Sequence, residues 1–185
     1  MDDSKRGPPV LGRALLQRSG PPLSAVSCSH SGDAVRVGQY TMFAGGAQYG
    51  MEPSRLKEMD VLIPLTRLSH EALRYLVSFV EVRYHPLEDF GGVSDDWPEF
   101  MQGVARDVRE KKRVLAFCIA GHGRTGTLLA SLIALLEPEC EDPIAAVRER
   151  YCPHAVETRE QAEAIFALKG VPLPVKYHSL ALRVL

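Results

Sequence analysis

Residues 113 to 127 read Arg113-Val-Leu-Ala-Phe-Cys118-Ile-Ala-Gly121-His122-Gly123-Arg124-Thr125-Gly126-Thr127, and an apolar run from Leu128 to Leu136 follows. Val114, Leu115, Ala116 and Phe117 form a short apolar segment of strand type. The glycines at 121, 123 and 126 mark a loop, and the Leu/Ala/Ile run after them has the length and composition of a buried helix. A strand thus delivers Cys118 into a loop that opens a helix. Unpaired N–H groups at a helix start, with the macrodipole behind them, favour an anion, and a concave loop of amides adds donors. Ile119, Ala120, Gly121, His122, Gly123 and Arg124 are the residues that would cradle a phosphate there. Arg124 lies six positions after Cys118, close enough on a curled loop for its guanidinium to clamp the same phosphate. The same positive field favours the thiolate of Cys118 as a nucleophile. A dinucleotide-binding loop fits worse, because the glycines do not fall as G-x-G-x-x-G, and a Walker loop fails for lack of Gly-Lys-Ser/Thr.

Cys118-x5-Arg124-Thr125, with glycines at those three positions, resembles the signature loop of the cysteine-dependent protein tyrosine and dual-specificity phosphatases. The spacing Cys-x-Ala-Gly-x-Gly-Arg-Thr-Gly-Thr is most similar to the Cdc-type dual-specificity branch and its prokaryotic relatives. The resemblance covers roughly residues 34 to 170. It implies a phosphomonoester hydrolase acting through a phosphocysteine intermediate on a phosphorylated protein, at phosphotyrosine, phosphoserine or phosphothreonine. A phosphoinositide or an RNA 5′ phosphate is the alternative substrate, and a phosphate-binding pseudophosphatase the alternative of another class. The sequence departs from the family at Phe117, where a histidine usually precedes the cysteine.

The rest of the chain supplies a frame for this loop. Val35, Val37, Tyr40 and Met42 read as a strand or hairpin closed by Gly45-Gly46, expected at the outer edge of a sheet. Val61 to Leu65 and Glu81 to His85 read as further strands. Pro53-Ser54 opens a short helical turn, and Ser69 caps a helix with Ala72, Leu73, Leu76, Val77 and Val80 on its apolar face. A third helix carries Trp97, Phe100, Met101, Val104 and Val108 on one side, with the charged run Arg109 to Arg113 at its end as a solvated surface. Asp142-Pro143 and Thr158 start two more helices. Strands alternating with helices predict an α/β fold: one three-layer domain with a central, mostly parallel sheet of four to five strands flanked by helices. The expected organisation is a Pro/Gly/Ser-rich arm over 1–32, the phosphatase-like domain over 33–170, and a tail over 171–185.

Hydrolysis needs a proton donor on a second loop at the mouth of the pocket, and Glu88, Asp89, Asp95 and Asp96 are the candidates. Pro86-Leu-Glu-Asp89-Phe-Gly-Gly-Val is similar to the family's acid loop, and Asp89 stands 29 positions before Cys118, a separation typical of the family. The resemblance therefore selects Asp89. Asp96, in Asp96-Trp97-Pro98-Glu99, reads as a helix N-cap with a capping-box glutamate. Thr125 is expected to donate its hydroxyl to the Cys118 sulfur or to cap the helix. Ala155-Val156-Glu157-Thr158-x-x-Gln161 is similar to the family segment whose glutamine positions the hydrolytic water, while Thr158 with Gln161 also reads as a capping box. His122 is expected at the pocket rim. Arg148 and Arg150 read as helix-surface charges.

Composition bounds the setting. With 185 residues, 45% hydrophobic and 24% charged, the chain is an ordinary globular length of sequence. A net charge of −1 argues against a dedicated nucleic-acid or acidic-membrane binder. Cys28, Cys118, Cys140 and Cys152 show no C-x-x-C pairing or metal-ligand spacing, so neither a disulfide framework nor a metal site is expected. No cofactor is expected either, since guanidinium and amides supply the positive charge. Cys28, Cys140 and Cys152 read as buried or incidental thiols, each with the alternative of resolving an oxidised Cys118. The opening Met1-Asp-Asp-Ser-Lys-Arg lacks the apolar core of a signal peptide, and no run reaches the roughly 20 apolar residues of a membrane span, so a soluble, cytoplasmic protein is expected.

Overall fold

A computed structural model of the chain describes residues 28–49 and 51–181. Residues 1–27 of the expected arm and 182–185 of the expected tail lie outside the described residues. A five-stranded sheet runs in the order β1-β2-β5-β3-β4. Its strands are β1 (Ser31–Val37), β2 (Tyr40–Gly46), β3 (Val61–Pro64), β4 (Glu81–Val82) and β5 (Val114–Cys118). Only the β1–β2 hairpin is antiparallel; the other three pairings are parallel. The hairpin turns at Gly38-Gln39, where Gly38 takes a φ of 60°, and not at Gly45-Gly46, which end β2 and pair with β5.

Among the described residues six α-helices flank the sheet: α1 (Pro53–Leu56), α2 (His70–Val77), α3 (Trp97–Arg109), α4 (Gly123–Leu136), α5 (Pro143–Arg150) and α6 (Arg159–Leu168). The alternation of β5 sorts the two layers. Val114, Ala116 and Cys118 point into the larger core with α3 to α6, whereas Leu115 and Phe117 point into a smaller one with Leu56, Met59, Leu62 and Leu76. Phe117, at the position of the family's histidine, is fully buried in that smaller core. Helix α4 is buried from Gly123 to Ala134, which explains its uniformly apolar run. The α/β, mostly parallel reading of the sequence matches this architecture.

The fourth strand is shorter than the expected 81–85. Its ladder spans Glu81 and Val82, yet Arg83, His85 and Leu87 go on donating their amides to Leu62, Pro64 and Leu65. Pro64 has no N–H with which to continue the exchange, so the pairing loosens there. The loosened segment carries the chain to Asp89 above the end of β5. At the other terminus, Tyr177 packs on Phe166 and donates to Asp142, and Arg159 N–H bonds to Ala181 O, so the described part of the tail lies against the domain. Among the described residues no helix is long and apolar enough to cross a membrane.

Candidate active site

Strand β5 ends at Cys118 and α4 begins at Gly123, so the cysteine loop is the four residues between them plus the first turn of the helix. The loop lies hard against the end of β2. Gly121 has a φ of 78°, and a Cβ there would stand 2.9 Å from the backbone of Gly45 and Gly46. Only glycine meets both conditions. The loop carbonyls are drawn outward: Gln48 N–H donates to Ile119 O at 3.0 Å and the Tyr151 hydroxyl to Gly121 O at 2.6 Å. Burial, and after it the neighbouring Cys118, push the Tyr151 phenol upward, so it keeps the proton it donates. With the carbonyls engaged from outside, loop amides are left for the pocket, and Gly121 N–H already donates to Cys118 Sγ at 3.2 Å.

Arg124 is buried and folds back over the loop. Its Nη1 donates to Leu87 O at 3.3 Å and its Nη2 pairs with Asp89 Oδ1 at 2.8 Å. Of the four acid candidates, Asp89 alone meets Arg124. Glu88 pairs with Arg67 at 2.6 Å. Asp95 and Asp96 lie at the start of α3, and a hydrogen bond from Ser94 is the chief cause that lowers the Asp96 carboxyl. Asp96 holds the N-cap position, but its side chain caps nothing, because its ψ of 4° takes it out of the extended geometry a capping side chain uses.

Asp89, Phe90, Cys118, Ile119, Ala120, His122, Gly123, Arg124 and Glu157 line a cavity of about 50 Å³. A roomier cavity, about 610 Å³, lies at the opposite end of β5 beside Arg109, Lys111, Lys112 and Arg113, far from this chemistry. Glu157 is a pocket residue to which the sequence reading gave no role. Its carboxylate takes the N–H of Gly123, and a Cβ at Gly123 would come within 1.9 Å of Oε2. Burial first, and then the Asp89 charge, push Glu157 up to about 7, against Arg124 and the Gly123 amide, which hold it down. Val156, with a φ of 63°, aims it, and Arg148 clamps that turn by donating to Ala155 O and Val156 O at 2.9 Å each. Arg148 is therefore a clamp, not a surface charge. Arg150 pairs with Glu137.

Two expected roles take other partners. The Thr125 hydroxyl donates to Gly45 O at 3.3 Å, so its one proton goes to β2 and not to Cys118 Sγ; His122, not Thr125, occupies the N-cap of α4. Gln161 is fully buried with its amide spent on backbone: Nε2 donates to Gly91 O at 3.1 Å and Oε1 accepts from Glu157 N–H at 2.8 Å. Thr158 caps α6 by accepting from Gln161 N–H at 3.2 Å. Gln161 thereby ties the Asp89 loop to the Glu157 turn.

His122 lines the cavity, but its imidazole turns away from it. Nδ1 lies 3.2 Å from Cys152 Sγ and 3.8 Å from Cys28 Sγ, and the two sulfurs are 3.8 Å apart. Burial, then His30 and His154, push His122 down, and burial pushes the Cys152 thiol up to about 12. His30 completes the group, and one ligand-type atom from each of the four residues lies within 4.8 Å of the others. Chain spacing gave no sign of this cluster, since its members come from three distant segments. All four cysteines are free.

No family model matches the chain. An uncharacterized protein of Methanocaldococcus jannaschii is 43% identical over 83 residues, 44% of this chain and 51% of the relative. The match spans about half the length of the curated relatives found. Among solved structures, Tk-PTP in its active form is 25% identical over 74% of this chain and 96% of its own, with a TM-score of 0.57. Kinase associated phosphatase, carrying serine for its catalytic-site cysteine, aligns over 84% of this chain and 99% of its own with a TM-score of 0.61 at 14% identity. The sheet order, the cysteine loop between β5 and α4, and this likeness across nearly the whole length of both phosphatases show that the chain has the fold of the protein tyrosine/dual-specificity phosphatases.

Proposed function

We propose that the protein is a cysteine-dependent phosphatase that hydrolyses phosphate monoesters on phosphorylated proteins, of the tyrosine or dual-specificity type. The observation that carries this reading is the Asp89–Arg124 ion pair at 2.8 Å beside Cys118. A carboxylate sits on the guanidinium where a phosphate would be held, within reach of a leaving oxygen. On binding, the phosphate oxygens replace that carboxylate on Arg124, bidentately, and take the loop amides from Ile119 to Arg124.

Cys118 Sγ then attacks phosphorus. The S–P bond forms as the P–O bond breaks, and Asp89, displaced from Arg124 by the phosphate and protonated from solvent as the substrate binds, delivers that proton to the departing oxygen. Water next attacks the phosphocysteine, gives its proton to Asp89, and releases inorganic phosphate with the thiolate restored. Gln161 positions the acid loop through Gly91, and Glu157 holds the Gly123 amide until the phosphate takes it. The small cavity and the short loops around it suit a shallow site that admits phosphoserine and phosphothreonine as well as phosphotyrosine.

Hydrolysis of an aryl phosphate by the wild type, Cys118→Ser and Asp89→Asn tests the reading. Cys118→Ser is expected to be inactive, and Asp89→Asn to lose roughly 10²- to 10⁴-fold with an alkyl leaving group but less with a nitrophenolate. Equal inactivity of wild type and Cys118→Ser against aryl phosphate and phosphopeptides overturns it.

A further inference from the structure

We propose that Cys28, His30, His122 and Cys152 form a tetrahedral zinc site that fastens the phosphate loop to the chain ahead of β1 and to the end of α5. This goes beyond the phosphatase reading, because none of the four side chains is given a chemical step in it.

The spacing of three of the groups is close to that of a coordination shell, and the fourth residue, His30, offers a ligand atom within 4.8 Å of theirs. Zinc binds thiolate sulfur at about 2.3 Å and imidazole nitrogen at about 2.0–2.1 Å in a tetrahedron. Those lengths place two sulfurs about 3.8 Å apart, and a sulfur and a nitrogen about 3.5 Å apart. The sulfurs of Cys28 and Cys152 stand 3.8 Å apart, and His122 Nδ1 lies 3.2 and 3.8 Å from them. No disulfide joins the pair.

His30 supplies the second, independent observation. It is 4% exposed, and Asp33 Oδ2 takes its Nδ1 at 2.9 Å. The other ring nitrogen, Nε2, is buried without a hydrogen-bond partner. A carboxylate on one nitrogen of a histidine fixes the tautomer and raises the basicity of the other, which is the outer-shell arrangement of metal-bound histidines. Buried nitrogens without partners are costly, and a metal ion would satisfy this one.

The charge also balances. Two thiolates and two neutral imidazoles around a dication sum to zero, a tolerable state for a site whose residues are mostly buried. Sulfur and imidazole in a tetrahedral S₂N₂ set select zinc over the hard cations, which prefer oxygen. Binding releases two thiol protons and forms two Zn–S and two Zn–N bonds, with no redox change. The bonds would bridge three segments: residues 28 and 30, the phosphate loop, and the turn after α5. His122 stands two positions before Arg124, and its backbone, at φ −100° and ψ −87°, starts α4. Holding its ring from behind would preorganise the loop amides.

The test measures metal content of the full chain purified under reducing conditions. Wild type is expected to carry about one zinc per chain. Cys28→Ser and His30→Gln should each lose most of it, while Cys140→Ser and the inactive Cys118→Ser keep it, which separates this site from the catalytic reading. Cobalt substitution should give the intense visible bands of a tetrahedral site with a thiolate-to-metal charge-transfer band, shifted in Cys28→Ser. Folded wild type, verified by circular dichroism, that takes up neither zinc nor cobalt under reducing conditions overturns the proposal. So does a Cys28–Cys152 disulfide in freshly purified protein.

Discussion

Replacing Glu157 with glutamine tests the electrostatics of the pocket more sharply than any change at the nucleophile. In the folded chain burial and the Asp89 charge hold the Glu157 carboxyl at about 7, against an ordinary 4.5. Between those two values the native state keeps a proton that the unfolded state has lost. Stability therefore falls as pH rises from about 4.5 to 7 and stays reduced above it. A shift of that size corresponds to about 3 kcal/mol, and solvent at the pocket mouth trims the measurable part to roughly 1–2 kcal/mol. Glutamine has the shape to accept from Gly123 N–H and has no proton to lose. Urea unfolding of wild type and Glu157→Gln at several values between pH 5 and 8 should show the variant gaining on the wild type by roughly 1–2 kcal/mol as pH rises. A difference that stays flat over that range, or that grows in favour of the wild type, refutes the reasoning.

Two further substitutions probe the scaffold of the loop. Gly121→Ala puts a Cβ 2.9 Å from the backbone of Gly45 and Gly46 at a φ of 78°, so both stability and phosphatase activity should fall, by about 2–4 kcal/mol in a denaturant titration; an unchanged midpoint contradicts the packing described. Arg148→Ala leaves the carbonyls of Ala155 and Val156 without their donors and should cost about 2–4 kcal/mol, whereas a surface charge would cost under about 0.5 kcal/mol.

The sequence was most informative where chemistry depends on neighbours along the chain. Cys118, Arg124 and the glycines between them fall in one loop, so spacing alone predicted that they gather at one site, and the structure gathers them. Asp89 was readable through the likeness of its loop, and the structure sets it on Arg124. The alternation of β5 and the apolar run of α4 gave the sheet and its buried helix. What escaped was set by contacts between distant segments. Glu157 reaches the pocket only because Val156 takes a left-handed backbone that Arg148 secures. The Thr125 hydroxyl finds Gly45, 80 positions away, and Gln161 finds Gly91 at a distance of 70. Cys28 and His30 meet His122 and Cys152 across about half of the chain, where no local spacing rule applies.

The central claim is that Cys118 carries the phosphoryl group between two half-reactions. Asp89→Asn slows the second step, which needs a base, more than the first with a leaving group as good as nitrophenolate, so the intermediate should accumulate. Acid quench of Asp89→Asn during turnover of an aryl phosphate, followed by mass spectrometry of the peptide containing Cys118, reads it directly. One phosphoryl group on that cysteine, absent from Cys118→Ser, is the expected result. Turnover with no phosphoryl adduct, alongside activity retained by Cys118→Ser, would contradict it.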